Sequence, residues 1–234
     1  MRAVAVRVRC LLLIAAFPAV AVAQARDSSP SPLRAVALDH LQLVNAKSEM
    51  VTYRGRRALQ LIPLPGHENT NEGLMAIVDT PEFGDGTIEV ELAGMPRIDA
   101  DTSARGFIGI AFRVDSSATR FECFYLRPTN ARADDQLRRN HTAQYVSSPD
   151  YTWQRLRAEH PGVYESYTDM EAGAWTKMRI EVRGTTARLF VGAATEPVLI
   201  VHDLKLGAGQ GRIALWSFAE TEGYFADLKV SGAK

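Results

Sequence analysis

The side chains best suited to chemistry in this sequence are concentrated in one long polar stretch, residues 128–174. The stretch combines arginines with amides, a histidine, tyrosines and a tryptophan. Guanidinium groups form paired hydrogen bonds with carboxylate or sulfate groups, and aromatic rings pack against flat apolar surfaces. We therefore expect this stretch to contribute to a ligand site. Its candidate ligand-binding residues are Asn130, Gln136, Arg139, Asn140, Gln144, Tyr145, Trp153 and Arg157.

Two further side chains, Glu122 and His141, are candidates for acid–base catalysis. A histidine titrates near neutral pH, and a carboxyl group can donate or accept a proton during bond cleavage. No second carboxylate stands at a diagnostic spacing from Glu122. Glu89 and Glu91 share one strand face, which we interpret as a solvated surface. A single histidine without a spaced partner predicts no metal site.

The three tryptophans have different expected roles. Trp153 falls on a predicted short helix, where it is either a stacking platform for a ligand or an anchor that packs the polar stretch onto the fold. Packing is the commoner role of tryptophan. Trp175 and Trp216 lie within strand patterns, so we expect both in the core.

Short runs of alternating apolar and polar residues dominate the rest of the chain. Many short strands separated by Gly and Asp turns predict an all-β sandwich or barrel. The polar stretch is then a long insertion with one helix over residues 150–159, capped by Asp150 or Ser148 and ended by Pro161. The predicted strands cover residues 58–62, 87–92, 107–114, 120–127, 176–182, 186–191, 198–201, 212–218 and 224–230.

The predicted strand 107–114 places one further candidate. Its residues Gly109, Ala111 and Arg113 alternate with the core residues, so they share the opposite face. Small side chains on that face either leave room for a ligand or permit close packing of the polar stretch. Arg113 is therefore a candidate ligand-binding residue.

The predicted strand 120–127 allows two registers. We favour the one in which Tyr125 and Arg127 face the ligand side and Glu122 faces inward. A shift by one residue would reverse these directions, and the turn at residues 115–119 decides between them. Tyr125 and Arg127 complete the candidate ligand-binding set, and Glu122 stays a candidate near a strand end.

Several paired segments resemble a known family. The strands GFIGIAFR (106–113) and FECFYLRP (121–128) resemble the paired central strands of concanavalin A-like lectins and glucanases. WTKMRIEV (175–182) and ARLFV (187–191) are similar to the later hairpin of that fold, and residues 211–230 to its closing strands. The laminin-G-like domains and the bacterial 3-keto-disaccharide hydrolase domains are the nearest by pattern. The resemblance covers residues 33–231 and implies a jelly-roll β-sandwich.

The resemblance also implies a function. Jelly rolls of this kind bind sugars on a concave sheet, so we expect a polar or acidic glycan in a groove covered by residues 128–174. One alternative is a glycan-cleaving enzyme, a hydrolase or lyase, that uses the same groove. Another is a laminin-G-like protein interaction module, which would expose an apolar patch.

The N-terminal residues have the three-part pattern of a secretory signal peptide. Arginines precede an apolar run at residues 11–23, and small residues follow it. We predict cleavage after Ala25, a flexible leader at residues 26–33 and one domain at residues 34–234. Removal of Cys10 would leave Cys123 alone, which excludes an intramolecular disulfide. The expected location is periplasmic or extracellular, without membrane attachment after cleavage.

Composition limits the partners. The chain has 27 Lys and Arg against 27 Asp and Glu, and this balance argues against a nucleic-acid partner. We predict no cofactor. Asp85 and Asp227 could join a structural calcium site, but no ligand loop of recognised spacing surrounds them.

Overall fold

A computed structural model describes residues 32–68 and 73–232 of the chain. Its strands form two antiparallel sheets that pack face to face around one core. In chain order the strands are β1 (Arg34–Ala35), β2 (Leu41–Val44), β3 (Ala46–Tyr53), β4 (Arg56–Pro63), β5 (Gly73–Val78), β6 (Gly86–Pro96), β7 (Ile108–Val114), β8 (Phe121–Leu126), β9 (Ala143–Ser148), β10 (Glu165–Ser166), β11 (Thr176–Arg183), β12 (Thr186–Val191), β13 (Leu199–Val201), β14 (Arg212–Phe218) and β15 (Thr221–Gly232). The helices are α1 (Pro128–Ala131), α2 (Gln136–Arg139) and α3 (Trp153–Glu159).

The strand order defines the two sheets. Sheet A runs β13–β12–β11–β6–β15–β4–β3, with β1 paired to β15, and sheet B runs β10–β9–β8–β7–β14–β5–β2. The chain crosses repeatedly between the sheets, as in a jelly roll. The predicted all-β sandwich and jelly-roll class are confirmed.

Period-two alternation explains how each sheet fills the core. Ile88, Val90 and Leu92 of β6 point inward and are buried, whereas Glu89 and Glu91 point outward. Burial of such apolar surface contributes roughly 25 cal/mol per Å². The strands with the clearest alternation are therefore those that the sequence predicts best.

Several strands lack that signal and were not predicted. They are β2 and β3 at sheet edges, β5, β9 within the polar stretch, and the short β1 and β10. β5 is apolar on both faces because sheet B has a second apolar surface on its outer side. Helix α3 begins at Trp153, and its N-cap is Thr152, whose hydroxyl accepts from the Arg155 amide, so the predicted caps Asp150 and Ser148 are wrong.

The polar stretch is more than an excursion from the sandwich. It contains α1, α2 and α3, but also β9 and β10, which extend sheet B at one edge. β9 pairs with β8 over six positions, from Phe121↔Ser148 to Leu126↔Ala143. The polar residues of the stretch are thus fixed to the sheet.

The predicted signal peptide, its Cys10 and most of the predicted leader lie outside the described residues. Within those residues, no helix is long and apolar enough to cross a bilayer. Cys123 is buried in sheet B, and burial raises the pKa of its thiol.

Candidate functional site

Strand β8 has the register that the sequence analysis favours. Tyr125 belongs to an apolar cluster on the outer face of sheet B, while Phe124 and Leu126 belong to the inner core. The turn before β8 is held by Asp115, whose carboxylate accepts hydrogen bonds from the amides of Thr119 and Arg120. Tyr125 therefore faces outward.

A continuous row of paired residues crosses the outer face of sheet B. Gly109 pairs with Tyr125 of β8 on one side and with Trp216 of β14 on the other. Tyr125 pairs in turn with Gln144 of β9, and Gln144 with Glu165 of β10. The row thus passes from aromatic residues at the centre to polar ones at the edge.

An open groove of about 590 Å³ lies over the aromatic part of this row. We call it the aromatic groove. Its floor is formed by residues of β8 and β14 and by Phe107, which precedes β7, and residues 148–154 form one wall. The rings that line it are Phe107, Phe121, Tyr125, Tyr151, Trp153, Trp216 and Phe218.

The floor rings contact one another closely. The centroids of Tyr125 and Trp216 are 5.1 Å apart, those of Trp216 and Phe218 4.9 Å, and those of Phe107 and Phe218 4.8 Å. Gly109 and Gly73 make this packing possible, because a Cβ at 109 would meet the Phe124 carbonyl at 2.1 Å and one at 73 would meet the Trp216 indole nitrogen at 2.8 Å. The glycine at 109 therefore lets the backbone of β8 approach β7 closely, and the glycine at 73 leaves room for the Trp216 indole.

Arg127 lies behind the groove wall and is 5% exposed. Its guanidinium donates to the Tyr125 hydroxyl at 2.9 Å, to Gln144 Oε1 at 3.2 Å and to the His141 carbonyl at 2.9 Å. Its central carbon lies 5.0 to 5.8 Å from the ring centroids of Tyr125, Phe107 and Trp153. Burial raises the pKa of Tyr125 to about 12, so its hydroxyl is neutral. Arg127 thus fixes the groove rings from behind.

A second polar cluster lies beside Arg127 at the sheet edge. Arg157 makes a two-pronged ion pair with the buried Glu165, with Nη2 2.6 Å from Oε2 and Nε 3.0 Å from Oε1. His141 Nδ1 lies 2.8 Å from the same Oε2. Burial lowers the pKa of His141, and the positive Arg157 and Arg127 lower it further while Glu165 opposes them. His141 is therefore neutral at pH 7.

Trp153 connects this cluster to the groove. Its ring lies between the guanidinium groups of Arg157, at 4.7 Å, and Arg127, at 5.8 Å. The same ring lines the groove. Trp153 therefore anchors α3, and because its ring also lines the groove, its role as a stacking platform for a ligand stays a prediction.

Glu122 and Tyr145 lie on the opposite side of the sheet, in the core. Glu122 is fully buried, with Oε2 accepting from the Tyr145 hydroxyl at 2.6 Å and Oε1 from the Leu206 amide at 2.8 Å. The Tyr145 hydroxyl accepts from the Lys205 amide at 2.8 Å. The inward direction that the favoured register predicts for Glu122 is therefore confirmed, and the expectation that Tyr145 lies in the ligand site is wrong, because an inward-facing position of β9 holds it. They tie the loop before β14 to sheet B.

Arg113 is also misplaced by the sequence analysis. A β-bulge in β7 opposite β14 puts its backbone in the left-handed region, with φ of 52°. The bulge turns its side chain away from the outer face, and Val114 takes that face instead of the predicted core. The guanidinium donates to the carbonyls of Gly207, Gly84 and Gly184 at 2.6 to 3.1 Å. Arg113 therefore joins three loops at one end of the sandwich.

The other candidates lie around α1 and α2, away from the groove lining. Asn130 is buried, accepts from Arg138 and donates to the His141 carbonyl. Gln136 and Asn140 are exposed and bond to each other. Arg139 donates to the Tyr167 hydroxyl at 3.0 Å. The structure therefore brings together Tyr125, Arg127, His141, Gln144, Trp153 and Arg157, and leaves Gln136, Arg139 and Asn140 outside.

Sequence analysis missed several groove residues. Trp216 was expected in the core, but it lies on the outer face of sheet B with Phe218. The alternation in β14 carries the signal, because Ile213 and Leu215 fill the core and the residues between them must face outward. Trp175 is likewise outside the main core and packs edge-on against Tyr53 on the outer face of sheet A.

The acidic residues considered for calcium have other partners. Asp85 accepts from the Gly184 amide at 2.9 Å and lies 3.4 Å from Arg113. Asp227 lies 3.7 Å from Arg56. Among the described residues, no group of three or more His, Cys, Asp or Glu side chains is placed to hold a metal ion.

Comparison with known proteins shows what the fold resembles. No protein-family model and no curated protein matches the sequence. Among solved structures, a carbohydrate-binding module CBM66 from Bacillus subtilis is 13% identical, with a TM-score of 0.56 over 82% of this chain and 95% of that one. A Bacillus subtilis protein with a galectin-like fold is 12% identical, with a TM-score of 0.54 over 84% and 90%. The exoplasmic domain of VIP36 bound to Ca²⁺ and Man3GlcNAc is 10% identical, with a TM-score of 0.50 over 83% of each chain. These similarities establish that the chain has the galectin-like, concanavalin A-like jelly-roll fold.

Proposed function

We propose that this protein binds a carbohydrate in the aromatic groove. The observation that carries the proposal is the set of seven aromatic rings around one open groove on a sheet face. Ring faces pack against the apolar C–H side of a sugar, and binding sites of this size are mostly apolar with a few polar groups. The polar groups here include Ser103, Ser148, Thr152 and Gln154. The CBM66 structure and the glycan-bound VIP36 structure support the proposal by analogy of fold.

The site favours binding over hydrolysis. Glycoside hydrolysis generally needs two carboxyl groups about 5 to 10 Å apart across the scissile bond. Among the described residues that line the groove, Glu220 is the only carboxylate. Glu122 lies across the sheet in the core, and Glu165 is held by Arg157. An enzyme remains the alternative function, and released products would reveal it.

The expected preference for an acidic glycan has lost its main support. That expectation rested on the arginines of residues 128–174, and the structure gives each of them a partner within the protein. The pairs are Arg132 with Asp169 and Glu171, Arg138 with Asn130, Arg139 with Tyr167, Arg155 with Glu159, and Arg157 with Glu165. We therefore propose a polar glycan that is bound mainly through its ring faces.

Export is part of the same proposal. The signal-peptide pattern of residues 1–25 supports a location in the periplasm or outside the cell, where glycans are accessible. N-terminal sequencing of the protein recovered from a secreting host tests it. A first residue of Arg26 is expected, and a retained Met1 on cell-associated protein would contradict it.

Calorimetric titration tests carbohydrate binding. The probes are tetramers of β-linked glucose, mannose and galactose, and a fructose tetramer. We expect one or more to bind, and Trp216→Ala to weaken that binding at least tenfold while Trp216→Phe weakens it less. Trp175→Ala, on the outer face of sheet A, is the matched control and should bind as the wild type does. Binding of no probe, or equal loss in both alanine variants, contradicts the proposal and favours a protein partner.

A further inference from the structure

Glu220 is the only charged side chain among the described residues that line the aromatic groove. It lies in the turn between β14 and β15, where its backbone carbonyl accepts from the Arg97 amide at 2.9 Å. Its carboxylate is half-buried and has no hydrogen bond or ion pair with any described residue. A carboxylate at this place is therefore free to meet a ligand.

The neighbouring loop does not neutralise this charge. Arg97 forms a two-pronged pair with Asp99 at 2.8 and 3.0 Å. Asp101 accepts from the Ser103 amide at 2.7 Å. Arg105 donates to backbone carbonyls, including that of Thr102 at 2.9 Å. The two arginines and two aspartates of the loop have a net charge of zero, so they do not cancel the negative charge of Glu220.

Arg127 is a cation in contact with three of the groove rings, but it does not itself line the groove. Its guanidinium is buried behind Tyr125, Phe107 and Trp153, where neutral oxygens and ring faces occupy it. A ligand in the groove meets the outer faces of these rings. Of the charged side chains that the structure describes, it contacts only that of Glu220 directly.

We propose, building on carbohydrate binding in the aromatic groove, that Glu220 makes the groove selective for uncharged glycans over glycans with carboxylate or sulfate groups. A carboxylate accepts hydrogen bonds from sugar hydroxyls, and such charge-assisted bonds are stronger than neutral ones. The same carboxylate repels an anionic substituent, because a partly enclosed groove screens charges less than open water does.

Matched pairs of probes test this selectivity. Tetramers of glucose, mannose and galactose are compared by calorimetric titration with the corresponding tetramers of glucuronate, mannuronate and galacturonate. For the wild type, we expect any neutral tetramer that binds to do so on the order of tenfold more tightly than the corresponding uronate tetramer. Glu220→Gln should reduce this ratio to about twofold by strengthening uronate binding, and added NaCl should reduce it in the wild type. Glu49→Gln, an exposed carboxylate on sheet A, removes the same charge and should leave the ratio unchanged.

The outcomes separate this inference from the proposed function. Uronates that bind as tightly as neutral tetramers, or a ratio that Glu220→Gln leaves unchanged, overturn the role of Glu220 while carbohydrate binding stands. Binding of no tetramer, neutral or charged, overturns the proposed function and this inference with it. Because Gln can still accept hydroxyl hydrogen bonds, retained neutral binding shows that the variant is folded.

Discussion

Tyr125 and Trp216 lie on strands that do not pair with each other, yet their ring centroids are only 5.1 Å apart. β7 runs between them, and strands two places apart are separated by about 9.6 Å. The rings meet because Gly109, which pairs with both residues, has no side chain to keep them apart. The groove floor therefore depends on Gly73 beside Trp216 and, between the two rings, on Gly109.

Replacement of this glycine tests that dependence. We expect Gly109→Ala to lower the free energy of unfolding by about 2–4 kcal/mol, because its Cβ would overlap the Phe124 carbonyl and the Tyr125 backbone. Urea denaturation measures the change. Gly209→Ala is the control, since its Cβ meets nothing within 4 Å. Equal stability of the two variants would show that β7 and β8 can separate without cost.

Arg113 should matter for stability and not for ligand affinity. Arg113→Lys replaces a guanidinium that reaches three loop carbonyls with an ammonium that cannot span them. We expect a loss of about 2–4 kcal/mol in urea denaturation and an unchanged Kd for the best glycan. Arg188→Lys, at an exposed position of β12, should change neither. A higher Kd without a loss of stability would restore Arg113 as a ligand-binding residue.

We expect Glu122 to lower the free energy of unfolding as the pH rises from acidic values toward neutrality. Burial raises the pKa of Glu122, and hydrogen bonds from Tyr145 and Leu206 only partly oppose this. The unfolded chain therefore loses this proton first, near pH 4.3, and the folded state is progressively penalised above that pH. The difference in the free energy of unfolding between Glu122→Gln and the wild type should therefore favour the variant more at pH 7.5 than at pH 4. A trend of opposite sign would mean that the core stabilises the ionised carboxylate.

Arg157 should hold the pKa of His141 down. Its positive charge lies near the imidazole and also occupies Glu165, which would otherwise favour the protonated ring. We therefore expect Arg157→Gln to raise the pKa of His141, measured by NMR titration of its ring carbon. Arg155→Gln removes an equal charge from the solvent side of α3, where it pairs with Glu159, and should leave the titration unchanged. An unchanged midpoint in both variants would place the cause in burial alone.

The sequence predicted the strands with clear alternation because one face of each must fill the core. The outward direction of Tyr125 was predicted correctly for the same reason, whereas Arg127 lies buried behind the groove rings and does not line the groove. It misplaced Arg113 because a β-bulge breaks the period of two, and nothing in the local composition marks that bulge. It misplaced Trp216 because a tryptophan within a strand pattern was assigned to the core between the sheets. Sheet B has a second apolar surface on its outer face, and Trp216 packs there.

The partners of the arginines in residues 128–174 could not be predicted from the sequence. Arg157 and Glu165 are eight residues apart on different elements, and Arg132 reaches acids 37 and 39 residues away. Such pairs depend on how the polar stretch folds back over sheet B. An arginine-rich stretch therefore indicates charge without indicating whether that charge is available to a ligand.

The placement of the tryptophans gives the protein an optical reporter of its own. Of the three in the chain, Trp153 and Trp216 line the groove, and Trp175 lies on the other sheet. A molecule that enters the groove changes the surroundings of two of the three indoles, so it should shift the wavelength and change the intensity of the intrinsic fluorescence without any added dye. Trp175 contributes a constant background, and its removal would leave an emission spectrum that comes from the groove alone.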